Sequence, residues 1–219
     1  MYRYIAIRCF TLFLLTCAAA PVFFGCTSNK TSETTQDTLA NFPLGTRARL
    51  VLDLNGDGTQ DTLFESYIST ITGKETPMQL DSVDFDRNVE LIISRKPATR
   101  LYCNIVGVDT FLVTDQEQQS GILVLEDLGD LDDQPGSEVG VIVRYEDYSN
   151  LNNYLILTLK GNSIRELFHF TINEDVSYMA ENMIGEESLV ARSGPGTIEY
   201  RFYSDSATVE KGTHSFIKP

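Results

Sequence analysis

From position 47 onward, apolar residues recur in short runs separated by turn-forming residues. In the first half the runs fall at 48–54, 62–68, 89–94, 101–108 and 110–114. In the second half they fall at 121–125, 139–145, 154–160, 164–172, 189–192 and 197–203. Runs this short, rich in Val, Ile, Leu, Phe and Tyr, predict about eleven strands. Only 174–183 has a briefly helical pattern. Lys160-Gly161-Asn162-Ser163 lies between two runs and predicts a hairpin turn, because Gly and Asn both tolerate positive φ. The fold class expected is all-β, with antiparallel sheets arranged as a blade-like stack or a sandwich.

The pattern changes at the N-terminus. Arg3 and Arg8 precede an apolar stretch, and small residues follow before Pro21, which is the layout of a signal peptide. The stretch ends in Phe23-Phe24-Gly25-Cys26, which resembles a bacterial lipobox, where a cysteine after a small residue receives a diacylglyceryl group before cleavage. The resemblance implies removal of residues 1–25 and a lipid on Cys26. Cys17 lacks the preceding small residue and leaves an apolar tail behind it. Of the 4 cysteines, Cys9 and Cys17 would leave with the signal, so no disulfide framework remains and Cys103 is expected as a small buried hydrophobe. Several acyl chains on one residue satisfy the requirement for stable anchoring, which a single chain does not. Secretion without lipid and an uncleaved anchor are the alternatives. Residues 26–44 are rich in Ser, Thr, Asn and Gln and read as a flexible tether, leaving 45–219 as one β domain. The location expected is the bacterial cell envelope, lipid-anchored at the outer membrane, on either face.

The chain has 219 residues, enough for one domain with export and tether segments. Its formal net charge is -14, from 31 acidic and 17 basic residues, which repels phosphate backbones and excludes nucleic acid as a natural partner. The same acidity suits divalent cations, or simply a solvated surface.

One segment narrows that choice. Asp53, Asn55, Asp57 and Asp61 stand at loop positions one, three, five and nine, with Gly58 at six and the Thr59 carbonyl at seven. Alternate residues of a tight loop point inward, so these oxygens can converge on calcium. Three carboxylates this close repel one another without a cation. The alternative is an Asn55-Gly56 turn whose acids face water. A helix-loop-helix calcium site needs Glu at position twelve, but Phe64 stands there inside a strand. A second segment keeps Asp130, Asp132 and Glu138 at positions one, three and nine, while Gln134 and Pro135 replace the central acid and the glycine. The two loops start at 53 and 130, 77 positions apart, which implies an internal duplication.

A calcium loop joining two strands resembles the FG-GAP and VCBS repeats of integrin-type β-propellers. With the stretch 139–160, the chain looks like FG-GAP-like lipoproteins of Bacteroidetes. The resemblance implies a calcium-bearing β fold and carries no catalytic residues. About eleven strands are too few for a full propeller, since four blades need about sixteen.

No Gly-x-Ser-x-Gly or His-Glu-x-x-His motif occurs, and alternation sets His169 opposite Phe168 and Phe170 on a more polar face. The acid pairs Asp84 with Asp86 and Glu186 with Glu187 are the only hint of a glycan hydrolase. Tyr145, Tyr148 and Tyr154, set among Asn and Asp beside the second loop, form a candidate surface for a protein or glycan partner, unless they pack the hairpin itself. The expectation is therefore a calcium-stabilised, non-catalytic binding module, with an envelope hydrolase or a structural accessory protein as alternatives.

Overall fold

The computed structural model describes residues 47–76, 85–147, 149–174 and 188–216. They form three antiparallel sheets and one helix. The first sheet contains β1 (Arg49–Leu52), β2 (Asp61–Ser69), β3 (Pro97–Cys103) and β4 (Phe111–Thr114) in that spatial order. The second repeats the meander with β5 (Gln119–Gly129), β6 (Glu138–Tyr145), β7 (Leu151–Lys160) and β8 (Ser163–Asn173). The third is β9 (Val190–Gly194), β10 (Thr197–Tyr203) and β11 (Val209–Ser215), with β10 central. The fold is all-β, as the pattern predicts.

The distribution of apolar residues dictates the layering. In β1, Leu50 and Leu52 are buried while Arg49 and Val51 are exposed, so the first sheet turns one face to the core. By contrast, β5 and β6 are buried almost continuously through Leu123, Val124, Leu125 and Val141, Ile142, Val143, as expected of strands covered on both faces. Two clusters show what covers them. Leu50, Leu52, Leu63 and Leu101 of the first sheet meet Leu125, Val139, Val141 and Leu157 of the second. On the opposite face Ile142, Tyr154, Ile156 and Phe170 meet Val190 and Ile198 of the third. The second sheet is therefore the middle layer of a three-sheet stack.

Two expectations require correction. The run 89–94 is not a strand; it lies in α1 (Phe85–Arg95). Val89, Ile92 and Ile93 are spaced i, i+3, i+4, which a helix gathers on one face, and Ile92 is fully buried with Tyr67. Asp86 in the first turn and Arg95 in the last complement the helix dipole. Lys96, with φ of 46°, and Pro97 end the helix. Short apolar runs do not distinguish the two periods. The second correction is β11, whose run Val-Glu-Lys-Gly-Thr-His-Ser is too polar to announce itself; as an edge strand it takes its register from β10 through the pairs from Thr197↔Ser215 to Tyr203↔Val209. The hairpin at 160–163 forms as expected, with Lys160 paired to Ser163 and Gly161 at φ of 62°.

Candidate metal loops and a neighbouring cleft

Both Asp-rich segments connect the first two strands of a four-stranded sheet, 53–61 between β1 and β2 and 130–138 between β5 and β6. Their internal hydrogen bonds correspond at the same 77-residue offset seen in the sequence. Gly56 N–H donates to Asp53 Oδ1 at 2.8 Å, and Asp133 N–H to Asp130 Oδ1 at 2.8 Å. Asp57 N–H donates to Asn55 Oδ1 at 3.0 Å, and Gln134 N–H to Asp132 Oδ1 at 2.9 Å. Leu54 N–H donates to Asp61 Oδ2 at 3.2 Å, and Leu131 N–H to Glu138 Oε2 at 2.6 Å. The acid at position nine thus reaches back to fasten the start of each loop. The non-glycine Asp133 takes φ of 61° where Gly56 has 73°, so the worn sequence keeps the backbone conformation.

The loops touch. Ser137 N–H donates to the Asp53 carbonyl at 2.9 Å. A Cβ on Gly136 would lie 2.4 Å from the Leu54 carbonyl oxygen, and one on Gly56 would lie 2.5 Å from the Gly136 nitrogen. Only glycine allows this backbone approach.

Their carboxylates are arranged differently. In the first loop Asp53 accepts from Gly56, Asp57 and Gly58, while Asp57 accepts from the Asn55 side-chain amide and Thr59 N–H. The Asn55 amide, followed by the Thr59 N–H, holds the exposed Asp57 carboxyl below its usual range. Asp61 is pushed up by burial, partly opposed by the Leu54 N–H. Among the described residues, the group of acids whose ligand oxygens all lie within 4.8 Å of one another is Asp130, Asp132 and Glu138. Ligands 2.3–2.6 Å from one calcium ion lie no more than roughly 5 Å apart, so this spacing fits a single ion. Asp132 and Glu138 are buried. Burial pushes the Glu138 carboxyl up, opposed by bonds from Leu131 N–H and the Thr158 hydroxyl. Protein cations already approach: Lys160 Nζ is 3.4 Å from Asp132 Oδ2, and Arg192 of β9 pairs with Asp133 while donating to the Asp130 carbonyl at 2.8 Å.

Of the three tyrosines singled out from sequence, Tyr145 is half-buried at the edge of a cleft and Tyr148 lies outside the described residues. Tyr154 is not available to a partner. It is fully buried, stacked on Phe170 at 5.1 Å, with its hydroxyl donating to Glu126. Its place in β7 turns it toward the third sheet, which the tyrosine pattern alone did not reveal. The signal segment, Cys26 and the tether also lie outside the described residues, as do Asp84, Glu186 and Glu187. His169 is exposed and Cys103 packs against the first core cluster, where burial pushes its thiol up.

Sequence reasoning missed Glu65. Burial pushes its carboxyl up, yet it accepts from Ala48 N–H at 2.8 Å and Ile122 N–H at 2.9 Å, joining the first sheet to the second. Its inward position in alternating β2 was the available signal. Comparison with protein-family models, curated proteins and solved structures found no match for this chain.

Proposed function

We propose that this chain is a lipid-anchored protein of the bacterial cell envelope, serving as a calcium-stabilised, non-catalytic module that binds a protein or glycan partner. The observation that carries the metal part is the pair of loops in backbone contact, one with three carboxylates at a spacing suited to one calcium ion. The residues present fit the ion: Asp130, Asp132 and Glu138 supply hard oxygen ligands, and Asp53, Asn55, Asp57, Thr59 and Asp61 supply a matching set of residue types in the adjoining loop. Calcium here would neutralise crowded acids and brace the junction between two sheets. Two successive four-stranded meanders, each carrying its Asp loop at the same place, support the FG-GAP-like resemblance. The signal pattern and Cys26 support the anchor.

A binding role fits better than hydrolysis. The carboxyls that burial raises, Asp61, Glu65, Glu126 and Glu138, are held by backbone N–H groups or by Tyr154. None lines the cleft bounded by Gln116 and Tyr145, the one bounded by Gln134 and Lys160, or the one bounded by Leu189 and Tyr200. Thermal unfolding of the protein with calcium and then with excess chelator tests the metal reading. Binding only to the folded form stabilises it by roughly 2.7 kcal/mol at a hundred times the dissociation constant, a Tm shift of several degrees. Equal Tm values in calcium and chelator would reject calcium stabilisation. Mass spectrometry of the mature N-terminus tests the anchor, and an unmodified Cys26 would overturn it.

A further inference from the structure

At the end of the middle sheet, where β6 finishes and β7 begins, a cleft of about 200 Å³ is lined mainly by polar side chains. We infer that it is a binding site for one neutral pyranose ring of a glycan. This rests on the proposal that the protein is a binding module, and commits that module to a sugar.

The cleft is built from the middle sheet outward. Asn153 of β7 and Thr171 of β8 are cross-strand partners, so their side chains share a face. Two residues further along β7, Leu155 packs into the cluster shared with the first sheet. The cleft therefore opens on the face that the first sheet covers elsewhere, and Gln116, from the connection between β4 and β5, lines it from that side. Beneath it, buried Asn152 fixes the geometry: its Nδ2 donates to the Val143 carbonyl at 2.5 Å and to Glu174 Oε1 at 2.6 Å, while its Oδ1 accepts from Asn153 N–H at 2.7 Å. The Asn152 side-chain amide thus ties β7 to β6 and to the residue that follows β8 at the base of the cleft.

The lining suits a sugar in three respects. The Gln116 and Asn153 amides each present a donor and an acceptor, the Thr171 hydroxyl can do either, and Asp147 adds a carboxylate, which is the mixture that adjacent sugar hydroxyls require. Gln116, Asn153 and Thr171 are exposed, so they meet a ligand without unfolding anything. Tyr145 and Leu151, the latter 49% exposed, offer apolar surface to the C–H face of a ring. Among the described residues no Lys or Arg lines the cleft, and Asp147 would repel a carboxylate or phosphate, so the sugar is neutral. The volume is below the roughly 300–1,000 Å³ of drug-sized sites, which limits the fit to a single ring.

The test is a titration of the full protein, in calcium and again in chelator, with glucose, galactose, mannose, N-acetylglucosamine and glucuronate, read by saturation-transfer NMR and calorimetry. At least one neutral sugar is expected to bind with a dissociation constant on the order of 1 mM, appropriate to about a dozen heavy atoms. Asn153→Ala and Gln116→Ala should each weaken it by about tenfold, the worth of one hydrogen bond, at unchanged Tm. Glucuronate should bind more weakly than glucose. Failure of all the neutral sugars, or undiminished binding in both variants, overturns the site even where calcium raises Tm. Binding that survives chelator supports the site even if the calcium reading has failed.

Discussion

The loops at 53–61 and 130–138 share a backbone and differ in what their acids do. The first has the fuller set of calcium-loop residues, yet its carboxylates are spread over its own N–H groups and side-chain amide. The second lost its central acid and its glycine, yet it gathers Asp130, Asp132 and Glu138 and buries two of them. Matching a motif by residue type therefore identifies a loop conformation more securely than it identifies a seat for an ion. Burial and distance are what make the second loop the proposed seat. The acid at position nine has the same mechanical task in both, accepting the N–H of the second loop residue.

Gly136 offers the severest way to break this pairing. Its φ of 111° excludes side chains, and a Cβ would strike the Leu54 carbonyl, so Gly136→Ala should cost about 3 kcal/mol or more in chemical denaturation. Gly58 has φ of 83° with open space around it, and Gly58→Ala should cost only about 1 kcal/mol. Equal losses would deny that the loops press on each other. Next in size is the acid at position nine. Glu138→Ala, at 1% exposure, should cost about 2–3 kcal/mol by stranding the Leu131 N–H, against about 1–2 kcal/mol for Asp61→Ala at 7%. The reverse order would place the tighter junction in the first loop.

A smaller effect concerns Glu126, whose carboxyl burial raises above the usual value of 4.5 with only the Tyr154 hydroxyl opposing. The folded state holds this proton more tightly than the unfolded chain does. Its contribution to stability is therefore fully present below pH 4.5 and is lost as pH rises through the folded value. Glu126→Gln keeps an acceptor for Tyr154 and should flatten that decline, raising Tm at pH 7. An unchanged profile would mean that Glu126 does not cause it. Smallest is Arg192→Ala, which removes a half-exposed ion pair to Asp133 and should cost less than about 1 kcal/mol. A larger loss would make the third sheet an integral support of the second loop.

The positions of most strands were legible in the sequence, because short apolar runs bounded by turn residues mark them. Which sheet is covered on both faces was not, since Leu50-Val51-Leu52 of β1 is as unbroken an apolar run as Val141-Ile142-Val143 of β6, yet Val51 is exposed. The helix at 85–95 was not legible as such, since its apolar triplet Leu91-Ile92-Ile93 satisfies both periods. The 77-residue offset was readable, but the contact between the two loops was not, because it depends on the first and second sheets packing face to face. For the same reason Tyr154 looked like a surface residue among Asn and Asp. Long-range packing, which no local window contains, turned it inward.

Calorimetric titration with calcium of the native protein, Asp132→Asn and Asp57→Ala tests most directly the proposal that calcium binds in the second loop. Asp132→Asn keeps an acceptor for Gln134 N–H while removing a ligand charge from the gathered cluster. Loss of the tighter binding event in Asp132→Asn and its survival in Asp57→Ala is the predicted result. Survival in Asp132→Asn with loss in Asp57→Ala would return the metal to the first loop and contradict the account.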